Sequence, residues 1–412
     1  MLQIAAPARS SFPAPQVRQG ELLAAAGACA SCHTTAAGSS FAGGVPQVTA
    51  FGTIYGTNIT PDPPTGIGSW SEAAFRRALR HGVSRDGHLL YPAFPYNHFT
   101  QLTDNDIGAL YAFVMTRDPV QARAPENRLT FPLQFRPLMA GWNLLYLEPG
   151  PLPHRAAESV DWNRGAYLVG AAGHCAACHS PRNAVGAERK EALLAGGDAE
   201  GWHATALNEN SPSPVRWSAE ALVTYLRTGI AADHAMAAGP MQGVVHNLSQ
   251  IDPADVRAIA TYIASVMGAP TSGQHARETA ARAKAAQDSL ATVRPATAAT
   301  AGQQPTLALG ARVYAGSCAG CHDLGRQLSS NTALRLPLAV ALHQPDPRNL
   351  IRIIRQGIPP LPGEAGRWMP PFEGILTDEE LTALLVWLRR QGTDAPPWQD
   401  VKRTVKETGN AP

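Results

Sequence analysis

No stretch of the sequence offers the roughly 18 consecutive apolar residues that a membrane-crossing helix needs. Nor does the chain open with a basic segment followed by an apolar core, for residues 1–16 read MLQIAAPARSSFPAPQ. The expectation is that an export segment has been removed or lies upstream. Charge is scarce and balanced, with 34 Lys and Arg against 32 Asp and Glu, a net of +2. That balance leaves no electrostatic footprint for nucleic acid. A Gly-rich dinucleotide loop, a Ser/His/Asp order and an HExxH motif are all missing, so substrate chemistry has no visible seat. What is present is a chain of 412 residues, 44% hydrophobic, which excludes a disordered protein and suggests about three domains. The 37 Gly and 35 Pro describe short helices joined by long, irregular loops.

No cysteine lies outside three copies of one pattern: Cys29-Ala-Ser-Cys32-His33, Cys175-Ala-Ala-Cys178-His179 and Cys318-Ala-Gly-Cys321-His322. C-x-x-C-H is the attachment pattern of c-type haem. Two thiols three positions apart on one helical turn reach the two vinyl groups of a haem and form thioethers. The adjacent histidine then falls under the iron as its proximal ligand. A thioredoxin-like redox motif does not need the histidine three times over, and zinc ribbons pair their C-x-x-C units at shorter separations. Three covalently bound haem c groups are expected, and no cysteine is left for a disulfide.

The motif cysteines Cys29, Cys175 and Cys318 are 146 and 143 residues apart, which suggests duplicated units. Each motif follows a small-residue helical stretch that begins near a glycine (Gly20, Gly165, Gly310). A middle helix then ends in Arg-x-Gly, at Arg80 to Gly82, Arg227 to Gly229 and Arg355 to Gly357. In two units it opens with Trp70-Ser71 or Trp217-Ser218. A third helix closes each unit behind Thr103, Asp252 or Thr377 as N-cap, with Asp106, Asp255 or Glu380 three residues on as a capping box. Its apolar positions share one face: Ile107, Leu110, Tyr111 and Val114, then Val256, Ile259, Ala260 and Ile263, then Leu381, Leu384, Leu385 and Leu388. The pattern predicts an all-α fold of three tandem cytochrome c-like domains joined by long loops. The expected domains are residues 15–118, 161–268 and 306–392. Between them lie a linker with an apolar segment, 119–160, and a flexible linker, 269–305, whose first half reads as a lone polar helix. The tail, 393–412, carries too weak a pattern to place it on a membrane surface. The apolar run around Trp142, Leu144, Leu145, Tyr146 and Leu147 either tucks against its own domain or meets a partner.

A haem poised for electron transfer needs a sixth ligand, commonly Met or His. Met369 supplies it in the third unit, in a loop stiffened by Pro370 and Pro371. Met241 is favoured over Met236 in the second, with His234 and His246 expected at the surface or behind the ligands. In the first unit Phe94 stands where methionine would fall. His98 is the favoured donor there, with His81, His88, Met115 or an open site as alternatives. The metal ligands expected are therefore His33, His98, His179, Met241, His322 and Met369.

Longer strings carry a resemblance. Phe41-Ala-Gly-Gly44, Phe51-Gly-Thr-Ile-Tyr-Gly-Thr-Asn-Ile-Thr-Pro61 and Thr65-Gly-Ile-Gly-Ser-Trp70-Ser resemble the first domain of tri-haem cytochrome c subunits of membrane-associated bacterial dehydrogenases, the alcohol, gluconate, fructose and sorbitol dehydrogenases. The Tyr91-Pro-Ala-Phe-Pro-Tyr-Asn-His98 loop is more similar to the cytochrome partners of molybdenum hydroxylases of the isoquinoline oxidoreductase, nicotinate and aldehyde dehydrogenase kind. In that branch a His at the position of His98 goes with the Met-to-Phe change. The resemblance implies an electron-transfer subunit without substrate chemistry of its own. It implies a catalytic partner of molybdenum/iron–sulfur or flavin/quinone type, and a quinone or terminal oxidase as acceptor. Its implied place is the periplasm, peripherally associated with the outer face of the inner membrane. A free-standing multihaem carrier and a haem peroxidase are the alternative readings.

Overall fold

The computed structural model describes residues 6–287, 304–323, 334–360 and 369–409. Part of the expected flexible linker, and Trp368 before Met369, lie outside them. The chain divides into two compact units. One comprises Met1–Ala177, Arg182–Lys190 and Asn247–Tyr262; the other comprises Cys178–Pro181, Glu191–His246 and Ile263–Pro412.

In the first unit α1 (Ala14–Ala26) crosses α5 (Asp104–Met115), and the crossing turns on a glycine. A Cβ on Gly20 would lie 1.9 Å from the Ala109 carbonyl oxygen and 2.7 Å from Phe113 Cβ. The same arrangement recurs where α7 (Val160–Tyr167) meets α11 (Pro253–Val266), with Gly165 against Ala258 and Tyr262. In the second unit α13 (Gln304–Ser317) meets α17 (Asp378–Gly392) in that way, with Gly310 against Ala383 and Trp387. In each crossing the carbonyl and the larger side chain are four residues apart on one helix face. Only a hydrogen in place of a side chain lets the two backbones come this close. Among the described residues the same glycine-mediated helix crossing thus occurs three times.

The middle helices are α3 (Glu72–His81), α9 (Ala219–Thr228) and α16 (Arg348–Gln356). They end at Gly82, Gly229 and Gly357, all with positive φ, where a Cβ would be strained. Ser71 and Ser218 cap the first two, each hydroxyl accepting from the third following N–H. In the first and third of these, the Arg before the cap ties the middle helix to the start of the closing one. Arg80 donates to Thr100 O, Leu102 O and Asp104, and Arg355 reaches Asp378 at 2.7 Å. The closing helices bury the predicted faces, from Ile107 and Leu110 to Leu384 and Leu385. Thr103 caps α5, and Thr377 with Glu380 forms a complete capping box on α17. Asp106 and Asp255 instead direct their carboxylates to Tyr167 and Arg164.

Among the described residues, three small antiparallel sheets add to the helical class. They are β1 (Pro46–Thr49), β2 (Gly52–Tyr55) and β3 (Arg128–Leu129), then β4 (Gly197–Ala199) with β5 (Trp202–Ala204), then β6 (Ile230–Ala231) with β7 (Ala235–Met236). The β4–β5 turn places Glu200 and Gly201 at φ 51° and 77°, a hairpin turn without the Asn-Gly signature that would announce it.

Two connecting segments are more integrated than their composition suggests. Helix α12 (Ser272–Ala285), in the expected flexible linker, buries Ala281 and Ala285 against Val215 and Leu338. Helix α18 (Val401–Gly409), in the expected tail, buries Val401 and Val405 in the core built around α17. Within α6 (Leu138–Tyr146) Trp142 packs on Tyr96 and Tyr146 and donates Nε1–H to Val185 O, whereas Leu144 is 87% exposed. The apolar run therefore splits between core and surface.

Candidate haem-attachment sites

The cysteine pairs sit on short helical turns. These are α2 (Cys29–His33), α8 (Ala176–His179) directly after Cys175, and α14 (Ala319–His322) directly after Cys318. None of the six cysteines is in a disulfide. Burial pushes the Cys29 thiol up to about 12, helped by the neighbouring Cys32, and burial does the same at Cys318. A thiol held protonated in this way is unlike the depressed thiol of a redox-active pair. Among the described residues no group of three or more His, Cys, Asp or Glu is placed to hold a metal ion.

The histidines are oriented alike. His33 Nδ1 lies 2.5 Å from Thr57 O, His179 Nδ1 2.6 Å from Thr205 O, and His322 Nδ1 3.2 Å from Leu334 O. A carbonyl can only accept, so Nδ1 carries the proton and Nε2 keeps the lone pair. Iron-bound histidines are held by a bond of this kind. Burial holds all three imidazoles below their ordinary pKa and so favours the neutral form that ligates. Gly43 N–H donates to His33 O and Gly196 N–H to His179 O, both at 2.8 Å, fixing the end of each turn. Three pairs of thiols in no disulfide, each followed by a histidine in the ligating tautomer, fit haem c.

The orienting carbonyls were not legible in the sequence, because any residue supplies a carbonyl. Thr57 does lie in the Tyr55-Gly-Thr-Asn-Ile string. The next residue, Asn58, pins that segment by donating Nδ2–H to Val120 O and Ala122 O.

The distal candidates are placed less uniformly. Met369 is half-buried, against the core around α17, and exchanges backbone hydrogen bonds with Ile358 at 2.9 and 3.0 Å. Met241 stands in the first turn of α10 (Pro240–Leu248) rather than in a loop, and Met236 ends β7. His234, expected near the surface or behind a ligand, is buried and stacked on Trp217 with ring centroids 4.0 Å apart. Met115 is a core residue of α5, and Phe94 packs on Tyr96 and Phe99. His98 is buried with both nitrogens taken, Nδ1 by Gly170 O and Nε2 by Glu188 Oε1, each at 2.7 Å. Both ring nitrogens are thus engaged within the protein in this arrangement. His88, an alternative donor, pairs with Asp86 at 2.6 Å.

Comparison with known proteins agrees with this geometry. The family model described as cytochrome c oxidase, cbb3-type, subunit III matches residues 15–114 and 305–388, and the cytochrome c model matches 163–267. The fructose dehydrogenase cytochrome subunit of Gluconobacter japonicus is 36% identical over 92% of this chain and 79% of its own length. The chain belongs to the family of cytochrome c subunits of dehydrogenases. A nicotinate dehydrogenase component of Pseudomonas putida is 44% identical over 95% of this chain, which spans about a third (32%) of that relative. A dihaem cytochrome c-type protein of Cereibacter sphaeroides is 38% identical over 61% of this chain and 86% of its own length. As a family member the chain is a multihaem cytochrome subunit for electron transfer. Among the described residues no helix is long and apolar enough to cross a membrane.

Proposed function

We propose that the chain carries three covalently attached haem c groups and serves a periplasmic dehydrogenase complex, peripherally held at the outer face of the bacterial inner membrane. It has no substrate chemistry of its own. The observation that carries this reading is the threefold turn of two thiols and a histidine whose Nδ1 is bonded to a carbonyl. Cys29, Cys32 and His33 would hold the first group, Cys175, Cys178 and His179 the second, and Cys318, Cys321 and His322 the third. When bound, each group supplies a one-electron couple whose potential the surrounding ligands set. Met241 and Met369 are the proposed sixth ligands in the second and third units, soft thioethers that favour ferrous iron. Ligation by His98 would require breaking its bond to Gly170 or to Glu188.

Electrons would come from a catalytic subunit of molybdenum/iron–sulfur or flavin/quinone type and leave to a quinone or terminal oxidase. The identity to a nicotinate dehydrogenase component supports an N-heterocycle as the compound oxidised upstream. Two measurements test the reading. Pyridine haemochrome analysis of the denatured chain should give three haems, and two or fewer rejects at least one site. Purification from the native host should bring down a catalytic polypeptide whose substrate reduces the cytochrome bands. A chain that purifies alone and is not reduced by such a subunit rejects the partnership.

A further inference from the structure

The first and second attachment turns meet each other in a way the third does not share. Gly27 and Gly173 hold the same place, two residues before Cys29 and Cys175. A Cβ on Gly27 would lie 3.0 Å from Ala172 O, and one on Gly173 would lie 3.7 Å from Ala26 O. Each turn thus abuts the other through its glycine. The residues that follow, Ala28 and His174, are both left-handed, at φ 48° and 38°. That conformation is rare outside glycine, and here it recurs at matching positions. His174 then crosses to the first turn, its Nε2 3.2 Å from Gly27 O.

The His174 ring is held from behind. Phe99 meets it edge-on at 5.5 Å between centroids, and His98 lies 6.3 Å away. His98 is in turn pinned by Gly170 O, in the five-residue π-helical segment Leu168–Ala172, and by the buried Glu188 carboxylate. Single π turns of this kind are frequent at functional sites. The third turn provides an internal comparison. A Cβ on Gly316, two residues before Cys318, would meet nothing within 4 Å, and Ser317, which matches Ala28 and His174, is the last residue of α13.

We infer that the first and second attachment turns form one electron-transfer pair, with His174 as its positioning residue and His98 with Glu188 bracing His174 rather than ligating iron. Abutting turns bring two covalently tethered groups into a fixed mutual geometry, and electron exchange falls steeply with separation. The third group stands outside this pair. The inference rests on the proposed three-haem content.

Soret circular dichroism of the full holoprotein tests it, because two haems held close at a fixed angle give a bisignate band. The band should be present in the wild-type chain and lost when either Cys29 and Cys32 or Cys175 and Cys178 are replaced by alanine. It should survive replacement of Cys318 and Cys321. His174→Gly, which suits the left-handed backbone, and Gly27→Val should each cut its amplitude at least twofold with three haems retained, whereas Gly316→Val should not. His98→Ala should weaken the band and leave the high-spin fraction unchanged. Three outcomes overturn the inference: no bisignate band in a chain that counts three haems, a band that persists without the first or second haem, or a new high-spin haem in His98→Ala. If His174→Gly fails to fold, the cysteine-pair variants still decide. A wild-type count below three overturns the haem content itself, and the pair with it where the missing haem is the first or the second.

Discussion

Arg164 grips Asp255 with two parallel hydrogen bonds, Nε to Oδ1 and Nη2 to Oδ2, both at 2.7 Å. The pair joins α7 to the first turn of α11, where the carboxylate also favours the positive end of the helix dipole. It is partly exposed, which screens it, but the geometry is bidentate. Asp255→Ala should cost about 1 kcal/mol, read as a lower midpoint in guanidinium unfolding. An unchanged midpoint would show that solvent replaces the pair without loss.

The glycine crossings and the open Gly316 should respond in opposite directions to the same substitution. Gly20→Ala or Gly310→Ala places a methyl 1.9 or 2.3 Å from a backbone carbonyl. The resulting overpacking of about 1–3 kcal/mol exceeds the gain in helix propensity of about 1 kcal/mol. Gly316→Ala meets nothing and lies within α13, so it should stabilise by up to about 1 kcal/mol. Unfolding midpoints of the three variants check the signs.

Met369→Ala should convert one haem to a high-spin or water-ligated form in the absorption and EPR spectra. Met241→Ala should convert another, and Met236→Ala should leave the spectrum as it was. If Met236→Ala alone changes the second haem, the assignment in that unit passes to Met236.

His234 predicts an acid-side loss of stability. Burial lowers its pKa from 6.5 to about 4, so between those values the unfolded chain binds a proton that the folded chain refuses. Stability should fall as pH drops from about 6.5 towards 4 and level off below. Within the window the slope is at most about 1.4 kcal/mol per pH unit. Denaturation of His234→Phe across this range should show a shallower decline than wild type. Parallel curves would remove His234 as a cause.

The α6 segment should divide under mutation. Trp142→Ala removes a ring packed on Tyr96 and Tyr146 and should cost about 2–3 kcal/mol, below the 3–5 kcal/mol of a fully enclosed aromatic. Leu145→Gln, at a side chain 69% exposed, should move the midpoint by less than about 0.5 kcal/mol. Urea titrations of the isolated subunit separate the two.

Much of the molecule is legible in the sequence alone. The C-x-x-C-H turns, the closing-helix faces and the Arg-x-Gly helix ends each depend on residues close in sequence, and local chemistry is what a sequence displays directly. Ser71, Ser218, Thr103 and Thr377 cap where their types and spacing place them. The role of Gly20, Gly165 and Gly310 was half visible. Their recurrence marked the repeat, but only the crossing carbonyls explain why no side chain fits.

Tertiary structure decided the rest, since those features rest on groups far apart in the chain or on the backbone itself. A carbonyl that orients a proximal histidine can belong to Thr57, Thr205 or Leu334 with equal effect, so no residue type announces it. His98 looked like a free donor because Glu188 and Gly170 are 90 and 72 residues away. The alanine-rich helix α12 looked solitary because its partners Val215 and Leu338 lie outside its own periodicity. The abutment of Gly27 with Ala172 is a contact between two backbones, and sequence records side chains.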